Sequence, residues 1–348
     1  MRVSRRLISF LFSCTNTYNS YSYSGYALGT KFTIIYNSVK PLKNLESITD
    51  SIFFDLNKSL STYIPSSDIS KINKGNNLIE VDDNFINVFN KSKLIWNNTQ
   101  GYFDPTAGIL TNAYGLGPNT IPKYSVNVDS IMSFIGFEKV SLNNRSVELN
   151  KGMYLDFNAI AKGYCVDLLS KSLKANNISN HLIEIGGEMY ASGINIITNS
   201  RWKVGISDPL KPENTKQKIF LKNKALASSG NYRKFLIDPQ TGVRIVHTIN
   251  PNNGSANQTN VLATSVIANN CMTADAYATA FMAMPLDKSI SLINENKSLD
   301  GMIIYSDSNN KILTYYSSGF KKLILINFLH KGIISFSIIP NFFISFLL

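Results

Sequence analysis

Leu155-Asp-Phe-Asn-Ala-Ile-Ala-Lys-Gly-Tyr-Cys-Val-Asp167 packs acids, small residues, a lysine and a glycine into one passage from turn to helix. A second acid stands in Ala274-Asp-Ala-Tyr-Ala-Thr279. A core would prefer apolar residues at several of these positions, because an unpaired buried charge is costly. Together the carboxylates, the lysine and the hydroxyl suit a site for a metal ion and an anionic phosphate ester. Lys162 falls at or just inside an expected helix start, where backbone N–H groups favour anions and an ammonium adds a point charge. Gly163 behind it, and the small residues before it, favour that reading over a solvated lysine. Asn158 occupies the turn, a type of position where Gly or Asn can take φ > 0. Asp275 and Thr279, at i and i+4, share one face of a helix. With a backbone carbonyl they are hard oxygen ligands suited to Mg2+. The alternative is a capping Asp and a Thr bonded back into its own helix.

His247 is one of three histidines and lies in Arg244-Ile-Val-His-Thr-Ile-Asn-Pro251, between a strand and a Pro-Asn-Asn-Gly turn. A loop histidine can act as a general base near neutral pH, or simply make a surface hydrogen bond. His181 and His330 have no such context and read as structural. Gly101-Tyr-Phe-Asp-Pro-Thr106 and Ser228-Ser-Gly-Asn-Tyr-Arg233 are turn-rich segments that could line a pocket with aromatic rings or be ordinary turns. Gly186-Gly187 after a strand permits a close backbone approach to a ligand, or a plain turn or bulge.

These residues need elements to hold them. Apolar spacing at Leu45, Ile48, Ile52, Leu56 and Leu60 predicts a helix over 42–63, and Phe85, Val88, Phe89 and Leu94 predict another over 83–98. Further helices are expected at 131–136, 161–176 and 272–284. Strands are expected at 31–36, 153–157, 182–185, 202–206, 218–221, 225–228, 235–237, 302–305 and 312–316, with a hairpin over 140–149 turning at Asn143-Asn144. Strands and helices do not alternate one for one, so the class is α+β. No Gly-x-Gly-x-x-Gly follows the first strand and no P-loop motif occurs, which disfavours both nucleotide-binding modes.

The chain has 348 residues, is 44% hydrophobic and 16% charged, and so can bury a sizeable core. Its net charge of +11 is spread over lysines scattered among Asn and Ser, without an arginine-rich stripe or a nucleic-acid motif, so no nucleic-acid partner is expected. The three cysteines, Cys14, Cys165 and Cys271, have no metal-ligand spacing and are too few for a disulfide framework. Cys165 and Cys271 read as small buried thiols.

Both ends differ from the middle. Arg2, Arg5 and Arg6 precede the apolar run Leu7–Phe12, and Leu11-Phe-Ser-Cys14 resembles a bacterial lipoprotein cleavage box. Residues 1–25 are thus expected to be a signal, a lipid anchor at Cys14 and a tether. The expected domain spans 26–322. Residues 323–348 form an apolar extension interrupted by Pro340 and Asn341, without an assigned role.

Taken in order from about Gly25 to Phe320, the segments resemble one family, the flavin transferases of the ApbE type. The resemblance rests on Leu28-Gly-Thr30, Ser67-Asp-Ile-Ser-Lys-Ile-Asn73, Gly101–Thr106, Leu155–Asp167, Ile185-Gly-Gly187, Ser228-Ser-Gly-Asn-Tyr232, His247-Thr-Ile-Asn-Pro251 and Thr273–Thr279. It implies a single α+β domain related to the T-fold, with mixed sheets and flanking helices. It implies FAD as substrate, Mg2+ as cofactor, and transfer of FMN to a Thr or Ser hydroxyl of an acceptor flavoprotein with release of AMP. Typical acceptors are subunits of membrane redox pumps, which fits an exported inner-membrane lipoprotein facing the periplasm. By resemblance, Asp275, Thr279 and the Ala159 carbonyl hold Mg2+. Leu28, Tyr63, Tyr102, Phe103, Asp104, Asp156, Lys162 and His247 meet the flavin nucleotide. His247 activates the acceptor hydroxyl and Lys162 offsets charge. Leu28 stands where the family usually has Met, Asn158 replaces a usual Gly, and Asn250 replaces a common acid before Pro251. An FAD pyrophosphatase and a non-catalytic flavin-binding lipoprotein are the competing readings.

Overall fold

The computed structural model describes residues 17–76, 79–118, 120–121, 126–231, 235–257 and 259–324. Cys14 and the basic start, Tyr232, Arg233, His330 and the tail beyond 324 lie outside them. The main sheet has eight strands, in the order Asn19–Ala27, Thr30–Ser38, Asn180–Ile185, Glu188–Ser192, Lys224–Gly230, Val261–Ala268, Asp300–Ser306 and Ile312–Tyr316. Every neighbouring pair is antiparallel. With helices gathered against it, the class is α+β, as expected.

Alternation along the strands gives the sheet two buried faces. Ala225 and Ala227 point into the larger core while Leu226 points into a second one, and Ile303 is set against Met302 and Ile304 in the same way. The larger core lies under the helices Leu45–Leu60, Asp83–Asn98, Asn158–Ala175 and Cys271–Ala283. The second core is closed by the hairpin Trp202–Ser207 and Thr215–Leu221 together with Phe320. Cys271–Ala283 packs on Asn158–Ala175 and on two central strands, Lys224–Gly230 and Val261–Ala268. It is apolar on nearly all sides, as a helix so enclosed must be, and Asp275 is its conspicuous exception.

Boundaries follow local chemistry. Asp83–Asn98 begins where Asp82 accepts the Phe85 N–H at 2.9 Å. The expected hairpin appears as Ser141–Asn143 paired with Ser146–Glu148, and Asn144 takes a φ of 53° in its turn. Cys165 and Cys271 are buried free thiols, both pushed up by burial.

Four expectations need correction, and the first is the helix expected over 131–136, which lies instead at Val128–Met132. Residues 153–157 are not a strand. The Asn73 side chain takes both backbone groups of Leu155, accepting its N–H at 2.7 Å and donating to its carbonyl at 2.8 Å. The Asp156 N–H goes to the Pro105 carbonyl at 2.8 Å, so this chain is tied down without a ladder. The segment 15–25 is not simply a tether, because Asn19–Ala27 forms the outer strand of the sheet, with Tyr21 and Tyr23 packed on the core. Asn158 does not take a positive φ; it is the first residue of its helix.

His181 is structural, as expected. Its Nδ1 lies 2.9 Å from the Ile178 carbonyl, which can only accept, so Nε2 is left to accept from the Ser170 hydroxyl at 2.9 Å. Burial lowers its pKa to about 4. The folded state then binds fewer protons than the unfolded chain between about pH 6.5 and 4, and the contribution is lost as pH falls through that window. A depression of this size corresponds to about 3 kcal/mol. The His181 ring resonances are expected to stay those of a neutral imidazole down to about pH 4; titration near 6.5 would refute the burial argument.

Candidate active site

Two helices make the floor of the site, and Gly163 sets how closely they approach. A Cβ at Gly163 would lie 2.4 Å from the Cys271 carbonyl oxygen and 2.8 Å from Asp275 Cβ. Only a residue without a side chain fits there. The contact lets the Gly163 N–H donate to Asp275 Oδ2 at 2.9 Å. One turn further on, the Asp167 carboxylate accepts the Cys271 and Met272 N–H groups at 2.7 and 2.9 Å, adding a cap from the neighbouring helix to the one Asn270 supplies. Burial outweighs these hydrogen bonds and raises the Asp167 pKa to about 6.

Asp275 is 3% exposed. Burial first, and then the nearby Glu188 carboxylate, pushes its pKa well up, while Lys162 and the Gly163 N–H pull the other way. Lys162 Nζ lies 2.7 Å from Glu188 Oε2. The local charge is therefore short of cation. Asp275, Thr279 and Ala159 all line the cleft above. No group of three or more His, Cys, Asp or Glu capable of holding a metal occurs among the described residues. One carboxylate, a hydroxyl and a carbonyl, with room for water and phosphate oxygens, fit a hard ion such as Mg2+ and do not fit a nitrogen- or sulfur-seeking metal.

The cleft has a volume of about 380 Å3, within the range of small-molecule sites. Tyr63, Tyr102, Phe103, Asp104, Asp156, Lys162 and His247 also line it, so the structure brings together every expected site residue except Leu28. Leu28 sits in the two-residue turn between the first strands, where it and Gly29 have φ of 52° and 73°. It packs against the main core and is not part of the cleft wall.

The walls are built by local hydrogen bonding. Asp104 Oδ1 accepts the Thr106 N–H at 2.7 Å and the Thr106 hydroxyl at 2.5 Å. Its Oδ2 accepts Trp96 Nε1–H at 3.0 Å and the Phe137 N–H at 3.1 Å. That carboxylate is occupied in shaping the turn that presents Tyr102 and Phe103. Asp156 accepts the Asn158 backbone N–H at 2.7 Å, and the Asn158 amide donates to Thr62 Oγ1 at 3.1 Å. Asn158 thus ties the helix start to the segment carrying Tyr63. Opposite, the strand Arg244–Val246 delivers a half-buried His247 into the cleft. Asn250 Oδ1 accepts the Asn252 N–H at 2.9 Å, which shapes the turn after Pro251.

The model of the ApbE family matches residues 28–303. The chain belongs to the ApbE family. Within it, the FAD:protein FMN transferase of Haemophilus influenzae is 31% identical over 90% of this chain and 94% of its own length. That of Vibrio cholerae is 29% identical over 86% and 91%. Among solved structures, the flavin transferase ApbE from Vibrio cholerae superposes with a TM-score of 0.78 at 27% identity, covering 88% of this chain and 100% of that one. The apo form of the Pseudomonas stutzeri flavinyl transferase ApbE gives 0.78 at 26%, covering 88% and 97%.

Sequence reasoning missed Glu188 and gave Asp167 no role. Gly186 and Gly187, with φ of 61° and 108°, form the tight turn that starts the strand Glu188–Ser192. They serve as a plain hairpin turn, and the group that faces the cleft is the acid that follows. The available signal was a carboxylate heading a strand whose five residues are all buried.

Proposed function

We propose that this chain cleaves FAD at its pyrophosphate and passes the FMN half to a serine or threonine hydroxyl of an acceptor flavoprotein, releasing AMP. One observation carries the reading: Lys162, His247 and the pair Asp275 and Thr279, from three separate parts of the chain, face a single cleft with three aromatic residues in its wall. The curated names of relatives matching most of the chain support it. In this reading the acceptor hydroxyl oxygen bonds to the phosphorus of the FMN half. The bond from that phosphorus to the bridging oxygen breaks, and AMP leaves with that oxygen. His247 takes the hydroxyl proton. Lys162 offsets charge on the phosphates, while Tyr63, Tyr102 and Phe103 offer ring faces to the nucleotide. Mg2+ held by Asp275, Thr279 and the Ala159 carbonyl would neutralise charge at the pyrophosphate. Such transfers depend on positioning and charge neutralisation, which this cleft is built to give.

The acceptor in this proposal is a subunit of a membrane redox pump. The enzyme is exported and held at the inner membrane, facing the periplasm, by lipid on Cys14. Among the described residues no helix is long and apolar enough to cross a membrane.

The test is to incubate the full chain with FAD, Mg2+ and a flavin-acceptor domain, following AMP and the acceptor's mass. AMP with a covalent FMN adduct supports the proposal. AMP with free FMN and no adduct makes the protein a hydrolase, and FAD bound but intact makes it a carrier. His247→Ala is expected to slow adduct formation by about 10^2- to 10^4-fold with FAD affinity little changed. Undiminished transfer would remove His247 as the base.

A further inference from the structure

Glu188 is an acid in the wall of a cleft that this reading gives to a pyrophosphate. By charge alone it is misplaced, since it repels the substrate's phosphates. Its backbone is nonetheless firmly held. The strand Glu188–Ser192 lies inside the sheet, between Asn180–Ile185 and Lys224–Gly230. The turn before it is fixed at both glycines. A Cβ on Gly186 would come 2.8 Å from Thr30 Cγ2, and the Gly187 N–H donates to Glu184 Oε1 at 2.7 Å. The Glu188 side chain is itself 3% exposed. Its Oε2 lies 2.7 Å from Lys162 Nζ, yet receives no hydrogen bond of ordinary geometry. The contact is one of charge and distance.

A buried carboxylate at this distance restrains Lys162. Its side chain is 31% exposed and ends four rotatable bonds from its backbone, so an unrestrained ammonium would sample many positions. We propose that Glu188 is a positioning residue: it fixes the Lys162 ammonium against the cleft wall, so that the positive charge is already in place when the phosphorus–oxygen bond to AMP breaks. This role rests on the flavin-transfer reading. Preorganised charge costs no rearrangement at the moment of reaction, which is how a group that hinders binding can still raise turnover.

Two opposed effects of one substitution follow. Glu188→Gln keeps shape and removes the negative charge. KM for FAD is expected to stay level or fall, because a repulsion is gone. kcat is expected to fall about 10- to 100-fold, as for loss of a partner that orients a reacting group. Loss of folded protein alone would lower kcat without lowering KM, and thermal melting with far-UV circular dichroism measures it directly. In a Lys162→Met background the same change should alter kcat by less than about twofold, because the group being positioned is absent. An unchanged kcat in Glu188→Gln, or an equal loss in both backgrounds, would overturn the proposal. If Glu188→Gln does not fold, Glu188→Asp carries the test. It keeps the charge but shortens its reach, so kcat should fall in the wild-type background and not in Lys162→Met; any other pattern overturns the role. A wild-type chain that released no AMP from FAD would instead sink the flavin-transfer reading, and this proposal with it.

Discussion

Asp275→Asn is expected to cut AMP release by about a thousandfold or more while leaving the metal-free fold at least as stable as wild type. The two halves of this result have one cause. Asparagine keeps the shape, and its amide oxygen can still accept from the Gly163 N–H, so the helix contact survives. What disappears is a negative charge that burial and Glu188 both oppose. A carboxyl whose folded pKa is raised contributes stability below its ordinary value, and loses it as pH rises through the folded pKa. In the absence of Mg2+, the Asp275 contribution to wild-type stability should therefore fall as pH rises from the acid range through neutrality. Asp275→Asn should lack that part of the fall, so the gap between the two widens with pH. Added Mg2+ should raise the melting temperature of wild type and not that of the variant. A variant that kept both turnover and the Mg2+-induced shift would show that the Asp275 carboxylate is not a ligand.

That residue was legible in the sequence because its type is out of place. An acid within Ala274–Ala280 breaks a run that otherwise reads as wholly buried helix, and Thr279 repeats the polar signal one turn later. Lys162 and His247 were legible for the same reason, each polar in a context of small or apolar neighbours. The helix Asp83–Asn98 was legible to the residue because its apolar period begins beside a capping Asp. Other features are properties of three dimensions. Glu188 opens a strand, where an acid is unremarkable until the strand proves central and its side chain meets Lys162. Residues 153–157 have the composition of a strand, but Asn73, distant in sequence, claims the backbone groups a neighbouring strand would need. Asn19–Ala27 carries a period-two Ser/Tyr alternation, which reads equally as low complexity until Thr30–Ser38 pairs with it. Leu28 was placed by resemblance, and nothing local signalled that its φ of 52° would set it in a hairpin turn outside the cleft wall.

Gly163→Ala tests the helix contact on which the floor of the site depends. In an ordinary exposed helix the change would stabilise by about 0.8–1 kcal/mol, because Ala is the better helix former. Here the sign should reverse. The added Cβ would stand 2.4 Å from the Cys271 carbonyl oxygen and 2.7 Å from its carbonyl carbon. Both are backbone atoms at the start of a buried helix, and no rotamer change can clear them. The helices must move apart, and two sets of bonds stretch with them: Gly163 to Asp275, and Asp167 to the Cys271 and Met272 N–H groups. Overpacking of this kind costs about 1–3 kcal/mol or somewhat more, so the urea midpoint should drop clearly. Turnover of the folded fraction should fall about a hundredfold, since a displacement near 1 Å between reacting groups costs that much. Cys271→Ala should rescue neither loss, because the obstructing atoms are not in the cysteine side chain. If Gly163→Ala raised the urea midpoint, the helices would be further apart than this structure shows, and the route by which Asp275 is held in the cleft would have to be redrawn.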